Sequence, residues 1–297
     1  QAACTLVTLY LSILLPGYPC IFISLCTCTI ICLYACILGG LGFEFKKLFS
    51  GSPQRKGLLL NSRALQDLVV RDMPWAQVRY NVRSNVVEAL ALSATHVKSG
   101  KSTIFVDRAD GGIPPWSRDP RTIAKPTRIT PQHALASAAI PLLFPAIKID
   151  GSYYCDGGVR QNTPLSPALR LGADRVLVVG LRGEDPPTKV SEYMDGHAET
   201  YPGPMFLMGK MADSIMLDRL EYDLKRLEGF NTLLQDGQRV YGESFVDQIN
   251  ASAMKMRGAR YREIGTVVIR PSRDLGAMAH EFIDVFTEKL GGVSGML

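Results

Sequence analysis

One short run in the chain sets a carboxylate where chemistry can use it. Asp156-Gly157-Gly158 follows Tyr153-Tyr154-Cys155, and two glycines after an acid permit a tight turn where backbone must approach a ligand closely. Asn162-Thr163-Pro164 comes next, and upstream lie Ala136-Ser137-Ala138-Ala139-Ile140-Pro141 and Phe144-Pro145. An Asp-Gly-Gly alone is an ordinary turn; the ordered set is the stronger signal. Other reactive side chains are less well placed. His96, His133, His197 and His280 are scattered without a common spacing. His133, on the small-residue stretch before Pro141, is the one that would line a site; the plainer expectation for all four is a structural role. Arg160 beside the acid would either meet an anionic phosphate or serve as a surface or capping residue.

The elements that must position Asp156 follow from patterning. Asn61-Ser62 can cap a short helix through about Val70. Residues 86–95 alternate as a strand, Lys98 to Lys101 turn, and 102–107 return, giving a hairpin. Residues 108–126, rich in Pro, Gly, Arg and Asp, read as a surface loop. Thr130 is an N-cap with Pro131 at the first helical position, and the helix stops at Pro141. Residues 146–150 and 153–155 form a hairpin around Gly151-Ser152, so Asp156 falls at a strand end. Residues 163–171 read as a helix. RVLVVGL at 175–181 is a continuous apolar run that predicts a strand covered on both faces. Residues 182–203 form a polar loop. A long helix is expected over 204–235, with Met208, Met211, Ile215, Leu220, Leu224 and Leu227 as its apolar positions; a Met stripe is usually core, and it can also flank an acyl-chain groove. TVVIRP at 266–271 is a last strand and 277–290 a closing amphipathic helix. Strands alternating with helices predict an α/β layered fold.

Charge divides the 297 residues in two. From Gln1 to Phe43 no side chain is ionisable except Cys and Tyr, and six of the seven cysteines lie there. Residues 21–43 form one uncharged apolar run, about 34 Å long as a helix against a hydrocarbon core of about 30 Å. It is too long for a signal-peptide core and no basic region precedes it. Lys46, Lys47, Arg55 and Lys56 follow, which by the positive-inside rule would keep the globular part cytoplasmic. The expectation is a leader over 1–43 with a membrane anchor at 21–43; the alternatives are a buried core element of a truncated domain or a wrongly predicted first exon. Cys28, Cys32, Cys36 and Gly40 would make one small-residue helix face. No Cys-x-x-Cys or nearby His supports a metal. The net charge of +5 suits an anionic lipid surface without selecting it. No basic block interleaved with aromatics exists to bind nucleic acid.

The ordered set over residues 129–164 resembles the patatin-like phospholipase family: a small-residue helix ending in Ile-Pro, a Phe-Pro, a hairpin, Asp-Gly-Gly and Asn-x-Pro. Leu171-Gly172-Ala173-Asp174 and VLVVGL are similar to the family as well, and the likeness extends from about Leu38 to about Leu290. The resemblance implies an α/β three-layer sandwich with a mostly parallel central sheet, incomplete here at its N-terminal side, with residues 44–297 as the C-terminal part of the domain. It implies a serine–aspartate dyad without metal or cofactor, acting on a lipid or phospholipid acyl ester. Asp156 would be the general base, with Gly157 and Gly158 shaping its turn. An ordinary aspartate is a weak base, with a pKa near ~3.9. Such a dyad therefore relies on direct contact, partial desolvation and an oxyanion hole.

The chain departs from that family in one respect. No Gly-x-Ser-x-Gly occurs: Ser50 and Ser52 lack the flanking glycines, and Ser294 follows Gly292 but has Met at 296. Gly39-Gly40-Leu41-Gly42 lies where the family's post-nucleophile segment belongs. The first strand, oxyanion loop and serine elbow would all precede residue 38, and a start at Gln1 rather than Met fits their having been left out. The expected function is thus a lipid acyl hydrolase read without its nucleophile and inactive as written. The competing expectation is a non-catalytic, membrane-anchored lipid-binding or scaffold protein that kept the fold.

Overall fold

The computed structural model describes residues 66–114, 121–141, 144–159, 165–180, 219–257 and 259–272. The leader, the connection at 44–60, the loop at 182–203, the Met208, Met211 and Ile215 portion of the long helix, and the closing helix at 277–290 lie outside them. So do Arg160 and Asn162-Thr163-Pro164.

A π-helical turn at Leu68–Asp72 ends the first expected helix and leads into α1 (Trp75–Arg83). Next come β1 (Ala89–His96) and β2 (Ser102–Arg108), antiparallel as expected, with Ala89 opposite Arg108 and Thr95 opposite Ser102. The expected loop at 108–126 needs correction. Its last part is a strand, β3 (Thr122–Pro126), which runs parallel to β2. Its short sequence, Thr-Ile-Ala-Lys-Pro, carries no alternation long enough to announce a strand, and Pro126 is tolerated because β3 is an edge. α2 (Pro131–Ser137), β4 (Ile147–Ile149) and β5 (Ser152–Asp156) follow. The turn between β4 and β5 is Asp150-Gly151, one residue earlier than expected, with φ of 48° and 79°. Both residues take left-handed backbone, as a two-residue hairpin demands. α3 (Leu165–Leu171), β6 (Arg175–Val179), α4 (Arg219–Tyr241), α5 (Phe245–Arg257) and β7 (Gly265–Ile269) complete the described chain.

The class is α/β as read, with a mixed central sheet. Its strand order is β3-β2-β1-β5-β4, and β6 and β7 form a second, parallel pair. In the larger sheet β2–β3 is parallel, whereas β1 is antiparallel to both β2 and β5. That sheet is covered on both faces. Leu92, Ala94 and Phe105 pack under α2 against Ala134, Leu135, Ala138 and Tyr154. Ala89, Ala91, Ile104 and Val106 pack on the other side against Leu165, Ala168, Val176, Val178, Leu224 and Leu227. β1 and β2 are thus both enclosed on both faces, although the alternating pattern of β1 did not announce it. The valine-rich β6 buries Val176 and Val178 while Leu177 and Val179 stay half-buried. A continuous β-branched run marks a strand well but cannot say how many layers cover it.

Alanines set the spacing under α2. Ala134, Ala136, Ala138 and Ala139 are all fully buried, as is Ala94 of β1, and these small side chains let the helix pack closely on the sheet beside Leu92, Phe105 and Tyr154. Asn231 donates from Nδ2 to the Ile264 carbonyl and accepts the Ile264 N–H at Oδ1, and Asn250 does the same for Tyr261. These two side chains, from α4 and α5, satisfy the backbone of the segment that enters β7. Among the described residues no helix is long and apolar enough to cross a membrane.

Candidate active site

Asp156 is the last residue of β5 and is completely buried. Three neighbours fix it. Its backbone N–H donates to the Ala139 carbonyl at the end of α2, at 2.8 Å. Its backbone carbonyl accepts the Thr95 hydroxyl from β1, at 3.0 Å. Its Oδ1 accepts the Gly158 N–H at 2.5 Å, an Asx-turn in which the side chain stands in for a backbone acceptor. A carboxylate gains charge-assisted stabilisation from such an amide donor.

The first glycine of the turn is dictated by β1. A methyl group on Gly157 would stand 2.4 Å from both the carbonyl oxygen and the hydroxyl of Ser93, a clash with backbone that cannot be relieved locally. Gly157–Val159 then forms one turn of 3-10 helix. Asp156, Gly157 and Gly158 are therefore brought together as one rigid corner, with both glycines buried. Two residues earlier on β5, Tyr154 is buried edge-on to Phe105 of β2, with its hydroxyl accepting from Lys125 Nζ of β3 at 2.8 Å.

The neighbouring titratable groups take supporting parts. His133 occupies the third helical place of a capping box: its Nδ1 accepts the Thr130 N–H at 3.2 Å and lies 2.8 Å from the Thr130 hydroxyl. Acceptance at Nδ1 requires a neutral ring with its proton on Nε2. The ring is buried and edge-on to Phe105, with centroids 4.7 Å apart. Burial pushes its pKa below the usual imidazole range, against the opposing pull of Asp150 and Asp107. The structural expectation for His133 holds. Cys155 beside the acid has its thiol pushed up, first by burial and then by the negative charge of Asp156. Asp107 accepts the Ile129 N–H at 2.8 Å and is raised chiefly by burial. Among the described residues no group of three or more His, Cys, Asp or Glu could hold a metal ion.

A buried acid at a strand end, turned by two glycines and backed by an alanine helix, is the arrangement the ordered motifs anticipate. Residues 83–169 match the family model of the patatin-like phospholipases. The family is one of lipid acyl hydrolases. The patatin-like stretch runs from the last residue of α1 into α3 and so contains the whole central sheet and the Asp156 corner. No curated protein matches the chain. Within the patatin-like stretch, sequence reasoning found Asp156 and its glycines but missed Ser93 and Thr95. Their only signal was a pair of hydroxyls two residues apart in an otherwise apolar strand, ALALSATH.

Proposed function

We propose that the chain carries the base-bearing half of a lipid acyl hydrolase. In this reading Asp156 is the general base for a serine of a Gly-x-Ser-x-Gly elbow, and Gly157 and Gly158 hold its turn. The observation that carries it is the complete burial of the Asp156 carboxyl group at a strand end, with one oxygen on the Gly158 amide. Desolvation raises the proton affinity of an acid and an amide donor lowers it. A base poised between them can take a proton directly from a hydroxyl in contact, with no histidine between. The proton would pass from the serine Oγ to the carboxylate as the oxygen attacks the ester carbonyl. It would then pass from the carboxyl group to the departing alkoxide.

The chain contains no Gly-x-Ser-x-Gly, so by this mechanism it does not turn over esters by itself. Restoring an upstream segment with that elbow should produce hydrolysis of a fatty-acyl ester, and Asp156→Asn should abolish it with the melting temperature preserved. Turnover that survives Asp156→Asn would remove Asp156 from the role. Turnover by the 297-residue chain that is lost in Asp156→Ala would place the nucleophile elsewhere.

The missing elbow favours a second reading, a non-catalytic lipid-binding protein anchored through residues 21–43 with residues 44–297 in the cytoplasm. It predicts vesicle binding that is indifferent to Asp156→Asn and that is lost when 1–43 are removed.

A further inference from the structure

We propose that Thr95 is a positioning residue for Asp156, acting through the peptide that joins Asp156 to Gly157. The inference rests on the reading of Asp156 as a base for its consequence, but its geometry is independent of that reading. The carbonyl of that peptide accepts the Thr95 hydroxyl at 3.0 Å in a buried contact. The residue on its other side, Gly157, abuts the Ser93 carbonyl and hydroxyl so closely that no side chain fits. Ser93 and Thr95 are two apart on β1 and so lie on one face of the strand. They grip the same peptide unit from one side, one by hydrogen bond and one by contact.

The position of that peptide matters because it lies inside the Asx-turn. The Gly158 N–H that reaches Asp156 Oδ1 is joined to Asp156 through this peptide and Gly157. If the peptide rotates, the amide turns away from the oxygen. The carboxylate then loses the donor that favours its charged form, and the carboxyl group swings relative to any reacting hydroxyl. A threonine suits the place for two reasons. Its β-branched body fills a buried strand position, and its hydroxyl gives the Asp156 carbonyl a partner that water cannot supply at a site where Thr95 is only 6 % exposed.

The experiment compares Thr95→Val, which keeps the shape and removes the hydroxyl, with Thr95→Ser, which keeps the hydroxyl. The full chain is labelled with carboxyl-13C aspartate, and the Asp156 resonance is identified by its loss in Asp156→Asn. Thr95→Val should raise the titration midpoint of Asp156 by about half a pH unit or more, as expected when a donor to a carboxylate loosens. Thr95→Ser should leave it in place. A Thr95→Val protein with the wild-type midpoint overturns the proposal, and so does a Thr95→Ser protein shifted as far as Thr95→Val. Should Thr95→Val not fold, Thr95→Ala read at reduced temperature replaces it under the same criteria. No ester turnover enters this measurement. A shifted midpoint with no effect of Asp156→Asn on the elbow-restored enzyme would keep the positioning role and discard the base, and the converse pair of results would do the reverse.

Discussion

Gly157 and Ser93 approach one another so closely that a Cβ on the glycine would lie 2.4 Å from two oxygens of the serine. This contact joins the corner that carries the acid to the most enclosed strand of the sheet. Gly157→Ala should therefore cost about 1–3 kcal/mol, the range for overpacking a well-filled interior. Urea unfolding measures it. An unchanged midpoint would mean that the turn moves away from β1 without cost.

Asp156→Asn should make Cys155 more reactive. The Cys155 thiol is pushed up by burial and, secondarily, by the charge of Asp156. Removing that charge lowers the thiol pKa and increases the thiolate present at mildly alkaline pH. The rate of iodoacetamide labelling of the peptide containing Cys155, followed by mass spectrometry, should rise relative to wild type. An equal or slower rate would show that the two side chains do not sense each other.

Stability should fall as pH drops below about 6.5, the ordinary imidazole value. His133 is held below that range in the folded chain, chiefly by burial, so the unfolded chain binds a proton that the native one refuses. The stability contributed by the neutral ring is fully present above that pH and is lost as pH falls through the folded pKa. Asp107, raised by burial, acts in the opposite sense at more acid pH. His133→Gln keeps an acceptor at the third place of the capping box and removes the titration. Its melting temperature should be flatter than that of wild type across the His133 window, and equal slopes would discard the assignment.

Asn250→Ala should destabilise the chain by about 1–3 kcal/mol, because it leaves the Tyr261 N–H and carbonyl without their side-chain partner. The same truncation at Asn231 removes the equivalent pair at Ile264. Each loss is measurable by denaturant unfolding. Hydrogen exchange should report the damage first in β7, the strand that this segment delivers.

The leader gives a further test. If residues 21–43 anchor the chain, the full chain should stay in the membrane pellet after carbonate extraction and a chain beginning at residue 44 should not. Release of both would leave the apolar run without a membrane role.

Much of the site was legible in the sequence, since its signals are local. A strand end, a carboxylate and two glycines follow one another in the chain, and a proline after a threonine starts α2 for steric and capping reasons that need no tertiary contact. The alternation of strands with helices pointed to the α/β class, and the ordering of those motifs singled out Asp156. Tertiary structure decided what touches the acid. Thr95 and Ser93 lie some sixty residues away in sequence and reach the turn only because β1 pairs with β5, with Ala94 opposite Asp156. The same holds for β3, an edge strand whose five residues have no pattern of their own and acquire one by pairing with β2. Likewise β1 and β2 are covered on both faces, whereas the valine run of β6 leaves Leu177 and Val179 half-buried. Periodicity records which side chains are apolar, whereas the number of layers over a strand depends on where distant helices come to rest.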